Sequence, residues 1–141
     1  RFPLNLTITV LNGADGYERI RQLSYPTADA FILAYAMNRP STLDAITAKW
    51  RPEILSHAPD ARMMLVGMKS DLWSPSNSDV VSPRAIMDVE ALFPASAMCS
   101  AITQAGLRDA FMGAVDLVEN FELEPLPQTP MRAPVRRRFG L

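Results

Sequence analysis

Two apolar runs with no charge inside them set the architecture available to this chain. One is Ala30-Phe31-Ile32-Leu33-Ala34-Tyr35-Ala36, opened by Asp29 and broken by Asn38-Arg39-Pro40; the other is Met63-Met64-Leu65-Val66, closed by Gly67. Runs this short and this continuously apolar predict strands covered on both faces. Between them Leu43, Ile46, Trp50 and Ile54 fall at helical spacing, giving one buried stripe, with Ser41 or Thr42 as the cap and Asp44 near the first turn. Pro52 lies inside that stripe and lacks the N–H that the turn behind it needs, so a kink is expected there. Strands alternating with helices predict a parallel sheet with helices on its faces, an α/β class.

The flanking segments fit the same scheme. Leu4, Leu6, Ile8 and Val10 alternate with Asn5, Thr7 and Thr9, which predicts a strand with one apolar face. It runs into the loop Asn12-Gly13-Ala14-Asp15-Gly16, and Tyr17 to Ser24 is expected to make one or two helical turns before Pro26. Ser82-Pro83 marks a helix start, with Ile86, Val89 and Phe93 as its stripe. Ala95 to Cys99 reads as a short strand, and Leu107, Phe111, Val115 and Val118 as the stripe of a last helix. Residues 1–121 form one predicted domain. Residues 122–141 hold Pro125, Pro127, Pro130 and Pro134 with Arg132 and Arg136 to Arg138, and read as a disordered, basic tail.

Composition closes off several classes. A single cysteine, Cys99, excludes an internal disulfide and a Cys-rich zinc site, and a single histidine, His57, excludes a His-cluster metal site. Cys99 reads as a small core residue, Trp50 as a core or half-buried anchor, and His57 as a group suited to a helix carboxyl end. No apolar run approaches the roughly 20 residues needed to cross a bilayer. A mildly acidic body with a short basic tail is a poor nucleic-acid footprint. The expected setting is cytoplasmic, with transient contact of the arginine tail at an anionic membrane surface, ~1 kcal/mol per arginine.

In a parallel sheet, ligands bind beyond the carboxyl ends of the strands. Two of those loops carry chemistry, Gly67-Met68-Lys69-Ser70-Asp71-Leu72 and Cys99-Ser100-Ala101-Ile102. The carboxylate of Asp71 can accept two parallel hydrogen bonds from the ring N–H and exocyclic amine of guanine. Adenine lacks that donor pair, and leaving buried acceptors unpaired discriminates by ~10⁴ or more. Lys69 can lay its stem over the base, and an N–H near Ala101 can reach the guanine carbonyl. By itself a Lys-x-Asp triplet also fits an ordinary solvated turn after a strand.

The segment Met64 to Leu72 resembles the guanine-recognition loop of the Ras superfamily, Asn/Thr-Lys-x-Asp, and Cys99-Ser100-Ala101 resembles its Ser-Ala partner. Tyr17-Glu18-Arg19-Ile20-Arg21-Gln22-Leu23-Ser24-Tyr25-Pro26 is similar to the second switch of the Rho family, and Lys49-Trp50-Arg51-Pro52-Glu53 to that family's third helix. The resemblance implies an incomplete Ras-like (P-loop NTPase) three-layer sandwich, and GTP or GDP with Mg²⁺ as cofactors. It implies guanine contacts from Lys69, Asp71, Ser100 and Ala101, with Gly13 as a remnant on the phosphate side. Tyr17, Arg19, Ile20 and Leu23 would then face exchange factors, GAPs or effectors.

Departures from the family pattern limit what these residues can do alone. The sequence holds no Gly-x-x-x-x-Gly-Lys-[Ser/Thr], the motif that cradles phosphates and places a hydroxyl on Mg²⁺. By the resemblance, the first strand, phosphate loop, first helix and first switch would precede Arg1, making this a carboxyl-terminal portion. The Asp and Gln of the second switch fall on Val10 and Ala14, and the Asn/Thr of the base motif on Met68. Trp73 to Val81 is too short for the Rho insert helix, and no cysteine is available for prenylation. No catalytic residue and no metal ligand is therefore expected, and no hydrolysis by this chain alone. The leading reading is a Rho-type guanine-nucleotide switch in signalling. The alternatives are a degenerate, nucleotide-blind interaction module, or a non-functional fragment. Re-exposing on the order of 400 Å² around a missing central strand costs ~10 kcal/mol at ~25 cal/mol per Å². That is comparable to a domain's net stability of ~5–15 kcal/mol. The chain expressed alone is thus expected to be poorly stable, molten or aggregated.

Overall fold

The computed structural model describes residues 4–122 of the 141. Its centre is β2 (Met63–Met68), flanked in parallel by β1 (Phe31–Ala36) on one side and β3 (Ala95–Cys99) on the other. Gly67 does not close β2, as its sequence position suggests; the strand continues through it and pairs Gly67 with Tyr35 and Met98. Met63 and Leu65 face one core with Phe31, Leu33, Tyr35, Leu43, Ile46, Ile54 and Ile86. Met64 and Val66 face a second core with Cys99 and Ala110. Burial on both faces, expected for β1 as well, therefore holds for β2 alone. Ile32 and Ala34 of β1 are exposed, because the last helix packs on β2 and β3 and leaves the β1 end of that face uncovered.

The predicted strand at Leu4 to Val10 is not formed. Residues 4–13 carry no regular structure, and Leu4, Leu6, Ile8 and Val10 are all exposed, Val10 by 90%. Alternation supplies one apolar face, but a strand also needs a neighbour for its N–H and C=O groups. Among the described residues none pairs with it. The Tyr17 to Ser24 turns do form, as α1 (Glu18–Leu23), followed by a 3₁₀ turn at Tyr25–Thr27.

The crossover from β1 to β2 starts at Pro40 rather than at a Ser or Thr cap. In α2 (Pro40–Ala45) the residue before the helix is Arg39, and no side chain caps it. Thr42 instead ties the helix back to the end of β1. Its hydroxyl accepts the Ala36 N–H at 2.9 Å and donates to the Arg39 carbonyl at 2.7 Å. Pro52 distorts the helix as expected, and the distortion takes the form of a π turn at Ile46–Trp50, after which α3 (Arg51–His57) restarts with proline in its first turn. α4 (Pro83–Glu90) begins where Ser82-Pro83 predicts, with Ser82 Oγ accepting the Ala85 N–H and Ile86 buried; Phe93 lies beyond its end.

The buried face of α5 (Leu107–Glu122) differs by one position from the predicted stripe. Leu107, Ala110, Ala114 and Leu117 pack on the second core, whereas Phe111 is 42% exposed. Small residues at 110 and 114 let the helix approach β2 and β3 closely, and a phenylalanine on that line would hold it off. Helices thus cover both faces of the sheet, α5 on one and α2 to α4 on the other. The Pro-rich arginine tail and its expected membrane contact lie outside the described residues.

Candidate functional site

The loops after β1, β2 and β3 gather at the carboxyl edge of the sheet. After β2 the chain turns through Lys69, held in the left-handed region at φ 61°, into a 3₁₀ turn at Ser70–Leu72. That turn carries Asp71 toward the loop after β3. Ser100 is fully buried there; its hydroxyl donates to Asp71 Oδ1 at 2.6 Å and accepts the Thr103 N–H at 3.2 Å. The Ser100 N–H donates to the Ala105 carbonyl at 2.9 Å, which closes the loop on itself. Two segments 29 residues apart are thereby tied by one charge-assisted bond.

Each carboxylate oxygen has two acceptor sites, so Asp71 keeps capacity at Oδ1 and all of Oδ2 for a donor pair such as the guanine edge. Lys69 and Ala101 are exposed beside it. Met68, where the base motif has Asn or Thr, is 40% exposed; its carbonyl accepts the Met37 N–H at 2.9 Å, and its thioether side chain has no amide or hydroxyl to tie to the neighbouring loops. An open cleft of about 390 Å³, lined by Tyr25, Asp29, His57 and Arg62, lies at the amino ends of β1 and β2, the pole opposite these loops. His57 ends α3, its Nδ1 within 3.0 Å of the Glu53 carbonyl.

The remaining positions singled out in the sequence sit apart from the loops after β2 and β3. Gly13 is exposed and backs onto Trp50, whose ring a Cβ at residue 13 would meet at 3.1 Å. Tyr17, Ile20 and Leu23 are exposed on α1 or at its start, at 45, 64 and 78%, and Arg19 is exposed among them. Val10 and Ala14 carry no group for a metal or a water. Among the described residues no three His, Cys, Asp or Glu side chains are placed to hold a metal ion. The polar side chains that the described residues bring together at this edge are Asp71 and Ser100.

One cluster escapes a reading of the sequence. Arg21, 3% exposed, donates from Nε and Nη2 to the two Glu53 oxygens at 2.8 and 2.9 Å, and from Nη1 to the Asn12 carbonyl at 2.9 Å. Tyr25 Oη donates to Glu53 at 2.6 Å, and the guanidinium lies 5.0 Å over the Trp50 ring. The bidentate bonds from Arg21 hold the Glu53 carboxyl below its ordinary range and raise Arg21 in turn. Burial first, then the Glu53 bond, pushes the Tyr25 phenol up to about 12. No sequence signal marks it: Arg21 and Glu53 stand 32 residues apart, and each reads as a solvent-facing charge on its own helix.

Comparison with known proteins identifies the lineage that this geometry belongs to. A family model described as Ras family matches residues 3–120. The chain belongs to the Ras family. Its similarity lies with the Rho branch. Rho-related GTP-binding protein RhoV of Homo sapiens is 31% identical over 125 residues, covering 80% of this chain and 53% of the relative. Rho-related GTP-binding protein RhoE of Homo sapiens is 41% identical over 69 residues, covering 49% of this chain and 28% of the relative. The chain thus spans about half the length of the first of these Rho relatives, and less of the second. Its three parallel strands with helices on both faces are an incomplete Ras-like α/β fold. Among the described residues no helix is long and apolar enough to cross a membrane.

Proposed function

We propose that this chain is the base-reading and partner-facing portion of a Rho-type guanine-nucleotide switch in small-GTPase signalling. The bond from Ser100 to Asp71 supports the reading, because it holds the carboxylate at this edge with acceptor capacity left for the two parallel donors of a guanine edge. Lys69 covers the base with its stem, and a backbone N–H near Ala101 meets the guanine carbonyl. Gly13 marks the phosphate side. The exposed surface of Tyr17, Arg19, Ile20 and Leu23 receives exchange factors, GAPs or effectors. Mg²⁺, when bound with GTP or GDP, neutralises phosphate charge in this family; these residues offer it no ligand set, and Val10 and Ala14 cannot order or orient a water. Hydrolysis by this chain alone is not expected.

Titration with a fluorescent guanosine diphosphate tests the reading. Wild type is expected to bind weakly and to prefer it over the adenosine analogue, and Asp71→Asn to abolish the preference. Equal affinity for both purines in wild type overturns the assignment. Val10, Ala14 and Met68 favour a second reading, a nucleotide-blind interaction module. Calorimetry with GDP and Mg²⁺ separates the two: sub-micromolar affinity defeats the module, and no heat at millimolar nucleotide supports it.

A further inference from the structure

α1 presents its outer side to solvent while its inner side is held by a buried charge. Arg21 spends three of its five donors on Glu53 and the Asn12 carbonyl, and its face lies over Trp50. The same platform holds the loop in front of α1 at two further points. The backbone at Gly13 rests against the Trp50 ring, and Lys49, 4.6 Å from that ring, pairs with Asp15 at 3.0 Å. Behind α1, Tyr25 closes onto the same Glu53. The hydrogen bonds and the ion pair named here that leave residues 12–25 all end on the π turn and α3, and Tyr25 also packs edge-on against Phe31 of β1, ring centroids 5.4 Å apart. Among the described residues no hydrogen bond or ion pair joins residues 12–25 to Gly67–Leu72 or Ser100–Gly106.

We infer that Arg21 and Glu53 are positioning residues that clamp α1 to α3, so that the Tyr17 to Leu23 surface keeps one conformation whether or not a purine occupies the base-side loops. A segment changes with a ligand only if the ligand interacts differently with its two states, and nothing at Asp71 or Ser100 reaches this one. The fork geometry is essential to the clamp. A lysine ammonium is a single point and cannot span both Glu53 oxygens, the Asn12 carbonyl and the Trp50 face together. What the surface docks rests on the proposed function; the clamp stands on its own geometry.

Amide hydrogen exchange of the 141-residue chain, read by mass spectrometry, tests it. With millimolar GDP and Mg²⁺, exchange across residues 14–25 is expected to stay within two-fold of the free chain. Slowing of 14–25 by nucleotide overturns the clamp's independence. Absence of any change at 67–72 and 100–104 counts against base reading instead, and the variants then decide the clamp. Glu53→Gln and Arg21→Lys are each expected to speed exchange across 14–25 by ten-fold or more, while β2 keeps its protection. Asp88→Asn, which breaks only the exposed pair with Arg84, should leave 14–25 unchanged. Unaltered 14–25 exchange in Glu53→Gln overturns the inference. If that variant also loses protection in β2, Tyr25→Phe decides: it removes one hydrogen bond, and speeding of 14–25 by two-fold or more is expected, with none refuting the clamp.

Discussion

Replacing Gly106 by alanine should unseat the base-side loop. Gly106 has φ +70°, and its position lies directly under β3. A Cβ there would be driven into the carbonyl oxygen of Met98, with the Met98 carbonyl carbon at 3.1 Å and Cys99 Cα at 3.3 Å. All three obstacles are backbone of a paired strand, so none can rotate away. The left-handed conformation costs an alanine ~1–2 kcal/mol, and relieving the overlap by backbone shifts costs ~1–3 kcal/mol more. The sum, about 2–5 kcal/mol, is a large share of the ~5–15 kcal/mol a domain commands. The shift would spread to the site, because Ala105 accepts the Ser100 N–H and Gly106 accepts the Ala110 N–H.

Gly113→Ala is the matched control. Its Cβ would meet only the far end of the Met64 side chain, at 2.7 Å from Cε, and alanine gains ~1 kcal/mol of helix propensity. Its net effect should lie within ~1 kcal/mol of zero. Pulse proteolysis across a urea series measures both variants on the same soluble material. A Gly106→Ala midpoint within ~0.5 kcal/mol of wild type, the scatter of an ordinary surface change, refutes the steric reasoning.

The Arg21–Glu53–Tyr25 cluster makes stability fall at both ends of the pH scale. Glu53 is depressed in the fold, so its contribution is complete above the ordinary carboxylate value and is lost as pH falls through the lower folded value. Tyr25 is raised, so its contribution is complete below ~10 and fades between there and about 12. Urea midpoints against pH should show both limbs, and Glu53→Gln should flatten the acidic one. Ser100→Ala should cost about 1–3 kcal/mol and reduce guanine preference, since Asp71 loses a charge-assisted partner; unchanged preference contradicts the role given to that bond. Trp73→Phe removes the 2.8 Å bond to the Val81 carbonyl that closes the short connection after Asp71, and should lower stability by about 1 kcal/mol in the same urea series. The isolated chain should bind a hydrophobic dye strongly through Leu4, Leu6, Ile8, Val10 and Ile32. No rise in dye fluorescence on adding the chain would contradict that.

Local chemistry is legible where neighbours in sequence decide the outcome. Ser82-Pro83 starts a helix, Pro52 disturbs one, and Met63 to Val66 must be buried, whatever surrounds them. Lys69, Asp71 and Ser100 are legible as a set through the family motif, and Ser100 and Asp71 do meet. What fails depends on partners distant in sequence. Leu4 to Val10 alternates correctly and still has no strand to pair with. Ile32 is apolar yet exposed, because α5 covers the other end of the sheet. Periodicity alone turns Phe111 inward, whereas Ala110 and Ala114 fit the distance to β2. The Arg21–Glu53 pair is invisible because a charged residue on a helix reads as solvent-facing until its partner is placed.

The hydroxyl of Thr42 has a consequence at the rim of the sheet. Phe31 and Met37 direct their N–H groups to β2, so the groups of Ile32, Ala34 and Ala36 face the open side. Thr42 already takes the Ala36 N–H. Any polypeptide laid alongside β1 therefore finds rungs at Ile32 and Ala34 and a blocked one above them, which fixes how far up the ladder it can climb. A threonine that sequence reading assigns to starting a helix serves here as the stop that sets where a further strand must end.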